Sequence, residues 1–85
     1  MIAKINDKEI RRELKMYIEE NMEVFDENID LRDNDNIFEK GFVSSIFAMR
    51  LLAFIESTFK TEIKDEDINL ANFSSIDNIV RMLEK

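Results

Sequence analysis

Gly41-Phe42-Val43-Ser44-Ser45-Ile46-Phe47-Ala48-Met49-Arg50-Leu51-Leu52 decides the reading of this chain. It holds the only glycine, then a serine pair, then an apolar run with the character of a helix. Glycine accepts a positive φ at little cost, so Gly41 suits a turn ahead of that helix. The spacing predicts a helix from Ser44 or Ser45 to about 58–60. Ser44 is the expected N-cap, because a serine oxygen can accept a free N–H of the first turn. A serine at a helix start is also well placed to carry a phosphate, since free N–H donors and the positive end of the helix dipole favour an anion there. Ser45 therefore reads as a candidate modification site.

Working outward, Ala48, Leu52, Ile55 and Phe59 form one apolar stripe of this helix, and Phe47, Leu51 and Phe54 a second. A helix apolar around so much of its circumference is central to its fold or faces a partner. Before it lies an Asx-rich stretch, 22–43, in which Asp26, Asn28, Asp30, Asp33, Asn34, Asp35 and Asn36 compete with helix by bonding local backbone. Isolated apolar residues (Val24, Phe25, Ile29, Leu31, Ile37, Phe38) read as anchors of a long loop, a kind of segment that is often functional. Upstream, residues 1–5 read as an extended or frayed start. Ile10, Leu14, Tyr17, Ile18 and Met22 then recur at helical spacing, giving a first helix at about 7–21 capped by Asn6 or Asp7. Downstream, a short helix is expected near Asp65–Leu70 with Asp65 as its cap. A last helix is expected from Ser75 to about Leu83, with Ser74 and Asp77 as a capping-box-like start and Ile76, Ile79, Val80 and Leu83 as its buried stripe. The fold class is thus all-α: a small four-helix bundle of three long helices and one short one, with a long loop between the first two.

Composition sets the limits. The chain has 85 residues, consistent with a single domain, 1–85, that buries roughly 60% of its unfolded surface. No proline and one glycine favour helices. A net charge of −7 argues against a nucleic-acid partner and for partners with basic patches. With no cysteine and no histidine, disulfides, thiolate metal sites and the commonest general base are excluded. Catalysis by carboxylates, Lys or Tyr would need a pocket that this chain can hardly build. No apolar run reaches membrane-spanning length and no signal-peptide pattern opens the chain, so a soluble cytoplasmic monomer is expected. Asp33, Asp35 and their Asn neighbours alternate as calcium ligands do, but Phe38 stands where an EF-hand loop needs glycine, so no metal site is expected.

The helix order, the long first loop and Gly-x-x-x-Ser before helix 2 together resemble the acyl carrier protein family, and the resemblance covers nearly the whole chain. Ser45 falls on the serine that carries 4′-phosphopantetheine in that family, Ile46 on the leucine that follows it, and Gly41 on the glycine of the variant with one extra residue. Leu51, Ile55, Glu56 and Phe59 fall on the helix 2 pattern. Thr61-Glu62-Ile63-Lys64-Asp65-Glu66 resembles the stretch joining helices 2 and 3, and Ser75-Ile76-Asp77-Asn78-Ile79-Val80 the opening of helix 4. Ser44 stands where most members have Asp, and Arg50 where fatty-acid carriers usually have Glu. The stretch 41–49 is closer to freestanding carriers of glycerate-derived polyketide extender units, of the hydroxymalonyl or methoxymalonyl type. D-alanyl carriers share its Gly-x-x-x-Ser spacing.

The resemblance implies a carrier rather than an enzyme. A phosphopantetheinyl transferase with Mg²⁺ would bring coenzyme A to Ser45, whose hydroxyl would attack the β-phosphate and release adenosine bisphosphate. Cargo would then ride as a thioester to acyl-loading and acyl-modifying enzymes and to a ketosynthase or acyltransferase. Ser44, Ile46, Phe47, Met49 and Arg50 are the expected partner-recognition residues, with Arg50 selecting an acidic counterpart. Ser74-Ser75-Ile76 echoes Ser44-Ser45-Ile46 but reads as capping alone. A small helical interaction module without a prosthetic group is the rival class.

Overall fold

A computed structural model describes residues 6–22 and 30–84. The expected extended start at 1–5 and the loop anchors Val24, Phe25 and Ile29, with Asp26 and Asn28, lie outside the described residues. Three α-helices follow in order, with no strand among the described residues: α1 (Asp7–Glu20), α2 (Phe47–Thr58) and α3 (Ile76–Leu83). The expected short helix at Asp65–Leu70 is instead a single 3-10 turn, Asp65–Asp67, with Lys64 and not Asp65 in the cap position. It stops there because Asn69 Oδ1 accepts from Asn72 N–H and Asn72 Nδ2 donates to the Asp67 carbonyl. Those side chains take the backbone groups that a longer helix would need.

α1 begins where Asn6 Oδ1 accepts the Glu9 N–H at 2.8 Å, and Asp7 and Glu9 in its first turn complement the helix dipole. Its buried row is Ile10, Leu14 and Ile18. In α2 the fully buried row is Phe47, Leu51, Ile55 and then Phe59, while Ala48, Leu52 and Phe54 pack at its margin. The two expected stripes thus resolve into one seam with half-buried flanks. α3 is short but presents Ile76, Ile79, Val80, Met82 and Leu83 to the same core. Leu31, Ile37, Phe42 and Val43 from the long connection complete that core together with Ile63 and Phe73. The connection is therefore pinned to the helices, as its isolated apolar residues suggested.

Two contacts tie the helices together beyond burial. Tyr17 of α1 lies flat on Phe54 of α2, ring centres 4.0 Å apart, and reaches Phe47 at 5.6 Å. Such pairs contribute about 0.5–1.5 kcal/mol beyond their area. Arg11 of α1 donates to Asp7 at 2.9 Å, to Asp33 of the connection at 2.7 Å and to Asp77 of α3 at 2.6 Å. Hydrogen bonds to Asp77, then Asp33 and Asp7, hold the guanidinium above its already high range, so it stays charged at every relevant pH. Next to it the Asp77 N–H donates to the Asp33 carbonyl at 2.9 Å.

Candidate functional site

The approach to Ser45 is a capped turn. Asn36 Oδ1 accepts the N–H groups of Phe38 and Glu39, opening one helical turn. That turn ends as a Schellman motif: Gly41 N–H donates to the Phe38 carbonyl and Phe42 N–H to the Ile37 carbonyl. Gly41 has φ +72°, the left-handed conformation such a motif requires. Phe42 and Ile37 are both buried, the apolar contact that accompanies the motif. The Ile37 N–H in turn donates to the Ser74 carbonyl at 2.8 Å, fixing the turn to the start of α3.

The chain then enters α2 through a tight turn. The N–H groups of Phe47, Ala48 and Met49 donate three residues back, to the carbonyls of Ser44, Ser45 and Ile46. α2 therefore starts at Phe47 rather than at Ser44 or Ser45, and Ile46, with helical backbone angles, occupies the cap position without a side-chain bond. Ser44 is not the N-cap, because the Phe47 N–H its hydroxyl would satisfy is already taken by its own carbonyl. Ser44 and Ser45 are both exposed, and neither hydroxyl has a hydrogen-bond partner among the described residues.

Ser45 opens onto an apolar groove of about 230 Å³ between α2 and the segment 68–73, lined by Ala48, Met49, Leu52, Ile68, Leu70 and Phe73 with Asn69 at its edge. On the other side, Ser44, Ile46 and Arg50 border a smaller hollow of about 150 Å³ with Asn21, Val43 and Phe47. A larger hollow, about 450 Å³, is bordered by 61–64, Glu66, Asp67, Met82 and Leu83 and shares no residue with either. Size thus does not single out the groove beside Ser45.

Of the five expected recognition residues, Ser44, Ile46, Met49 and Arg50 are exposed, Ile46 at 71% and Met49 at 75%. Phe47 is a correction: only 6% exposed and stacked on Tyr17, it belongs to the core. The groove wall at Ile68, Leu70 and Phe73 was missed. Apolar residues punctuating an Asn-rich stretch were its only signal, and they read equally well as a helix stripe. The echoing serines have the capping role expected of them, but differently arranged. Ser75 Oγ accepts the Asn78 N–H at 3.1 Å, and Ser74 Oγ, expected to start the cap, donates back to the Ala71 carbonyl at 2.7 Å. Asp33 is held by Arg11, and Asp35 by the Arg32 N–H and Lys40. No group of three or more metal-ligating side chains occurs among the described residues, and none of their helices is long and apolar enough to cross a membrane.

Among the described residues the fold is helical, with an exposed serine pair on the turn into α2. The pattern of the family described as the phosphopantetheine attachment site matches residues 12–83, and the chain belongs to that family. Such a domain is the site of covalent 4′-phosphopantetheine attachment, and carrier domains of this kind work with phosphopantetheinyl transferases and biosynthetic enzymes. Comparison with curated proteins and with solved structures gave no significant match.

Proposed function

We propose that Ser45 is the residue to which 4′-phosphopantetheine is joined, and that the chain carries acyl cargo between enzymes of polyketide or hybrid peptide–polyketide assembly. The observation that carries the assignment is the exposed Ser45 hydroxyl on the turn into α2, without a hydrogen-bond partner among the described residues and beside an apolar groove. The residues present fit the group: the hydroxyl is accessible from solvent, and Ala48, Met49, Leu52 and Leu70 offer an apolar bed at its foot. When bound, the group supplies a terminal thiol that holds the cargo as a thioester. Ser45 Oγ forms the new bond to phosphorus and loses its proton, and adenosine bisphosphate leaves from coenzyme A. The transferase provides the base, in keeping with a chain that has no histidine or cysteine. The tether keeps cargo at high local concentration near whichever active site the protein has docked.

The groove is smaller than the about 300–1,000 Å³ that encloses a drug-sized ligand, which favours a short unit. The choice of a glycerate-derived extender unit over a D-alanyl or other aminoacyl unit rests on the resemblance of 41–49. The whole chain, 1–85, acts as one carrier domain, monomeric and cytoplasmic, and serves a ketosynthase or acyltransferase beside its loading and modifying enzymes.

Incubation with coenzyme A, Mg²⁺ and a broad-specificity phosphopantetheinyl transferase tests the assignment by intact mass and peptide mapping. One phosphopantetheine on Ser45 supports it. Modification of Ser44 alone rejects the assignment to Ser45 and moves the attachment site to its neighbour; none on folded protein, while a control carrier is modified, rejects the carrier reading and favours the interaction module. Offering the primed protein to an adenylating amino-acid ligase and to a glycerate-loading enzyme then separates the two cargo classes.

A further inference from the structure

A phosphodiester joined to Ser45 stands at a helix entrance whose backbone donors are partly taken. The first N–H groups of a helix ordinarily stay free for an anion. Here those of Phe47, Ala48 and Met49 donate to the carbonyls of Ser44, Ser45 and Ile46. Side chains are then needed to hold the phosphate, and those in reach are unevenly signed. Arg50 is the only cation between Lys40 and Lys60, and no carboxylate occurs between Glu39 and Glu56. Lys40 is paired with Asp35 at 3.3 Å, and Glu56 accepts the Ile63 N–H at 2.9 Å. Arg50 has no ion-pair partner among the described residues.

Arg50 borders the hollow of about 150 Å³ together with Ser44 and Ile46, the residues on either side of Ser45. The hollow therefore opens beside the hydroxyl that bears the group. Long side chains on a helix lean towards its N-terminus, which carries the Arg50 guanidinium down the turn that separates it from Ile46. The Ser44 hydroxyl, exposed and without a partner among the described residues, is a second donor at the same rim. The groove on the other side of Ser45 offers a phosphate no cation. Its walls are apolar, and the amide of Asn69 at its edge already accepts the Asn72 N–H. We infer that Arg50 and the Ser44 hydroxyl hold the phosphodiester of the group on Ser45 in this hollow, so that the anion paired with Arg50 lies within the primed protein itself. The inference rests on the Ser45 assignment and deepens it. The root of the arm is fixed on the hollow side of α2, and the apolar groove is left to the rest of its length. A charge-assisted bond to phosphate is stronger than a neutral one, and an exposed pair of this kind is screened by salt.

The test is nuclear magnetic resonance on the full chain, primed with coenzyme A and transferase and then freed of both. Priming is expected to shift the Arg50 Nε–H cross-peak, and about 1 M NaCl, where the screening length is about 3 Å, to reverse the shift. Phosphorus-31 transverse relaxation of primed Arg50→Gln is expected to fall towards that of free 4′-phosphopantetheine. Lys60→Gln, which removes a cation at the far end of α2, leaves the relaxation as in wild type. Amide spectra of the unprimed variants confirm that each is folded. An Arg50 cross-peak that priming does not move, or equal phosphorus relaxation in primed wild type and Arg50→Gln, overturns the inference. So does an equal fall in Lys60→Gln, which reduces the effect to overall charge. Intact mass and peptide mapping separate the two levels. Phosphopantetheine on Ser45 with a freely mobile phosphorus rejects this site and leaves the Ser45 assignment standing, whereas folded protein that is never primed rejects both.

Discussion

Ser44-Ser45-Ile46 and Ser74-Ser75-Ile76 are the same tripeptide at the entrances of two helices, and the fold uses them in opposite ways. At α3 both serines are buried, Ser75 caps the helix, Ser74 bonds Ala71 and Asn78, and Ile76 is wholly inside. At α2 the same three side chains face solvent, both hydroxyls are without partners among the described residues, and Ile46 is 71% exposed. The difference lies in how each helix begins. α3 opens from extended backbone at Ser75, which leaves N–H groups for a hydroxyl to satisfy. α2 opens from a tight turn whose N–H groups already donate to backbone carbonyls, which releases its serines. A local motif is structural where the backbone needs it and available for chemistry where the backbone does not.

The largest effect expected from breaking this contrast is functional. Ser45→Ala abolishes priming, read as no mass gain with coenzyme A and transferase, and shifts stability by no more than about 0.5 kcal/mol. Ser75→Ala leaves priming intact. Next in size, Ile76→Ala lowers unfolding free energy by about 2–5 kcal/mol in urea melts, while Ile46→Ala stays within about 0.5 kcal/mol. Equal losses at the two isoleucines would erase the distinction between the entrances. Ser75→Ala itself removes a cap and lowers stability by about 1 kcal/mol, near 4–8 °C in Tm for a domain of this size, whereas Ser44→Ala does not.

The smallest effect concerns the turn leading to Ser44. The Arg32 N–H, and then Lys40, hold the Asp35 carboxyl below the usual carboxylate range against the opposing effect of burial. A depressed folded pKa means the contribution is complete above the unfolded value near 4 and is lost as pH falls through the folded value. Urea midpoints of wild type and Asp35→Ala should therefore differ at pH 7 and converge in strong acid. A constant gap across that range would deny the ionised Asp35 carboxyl its role.

Much of the fold was legible from periodicity. The buried rows of α1 and α3 follow the expected i, i+3/i+4 spacing, and Asn6 and Gly41 act where helix and turn chemistry suggested, while the cap of α3 falls one residue later than expected, on Ser75. What escaped depends on competition between neighbours or on distance along the chain. Asn69 and Asn72 halted the third helix through their own side-chain bonds, which apolar spacing alone does not register. The start of α2 was set by backbone bonds at 47–49 and not by the serine side chains. Phe47 was ambiguous until Tyr17, thirty positions earlier, was found against it. The junction of Arg11 with Asp77 spans 66 positions and leaves no local trace. At the site, the serine and its exposed neighbours were readable, but the 68–73 wall was not, since only the tertiary fold brings it to Ser45.

The chain has one tyrosine and no tryptophan, and that tyrosine is the ring stacked against Phe54 and Phe47. Its tyrosine optical signal therefore originates at a single junction, where α1 meets the back of the helix that presents Ser45. Near-ultraviolet dichroism tracks fixed aromatic packing. Cargo or a partner that shifts α2 against α1 should be visible through Tyr17 in unlabelled protein, while an event confined to the outward face of α2 should leave that signal silent.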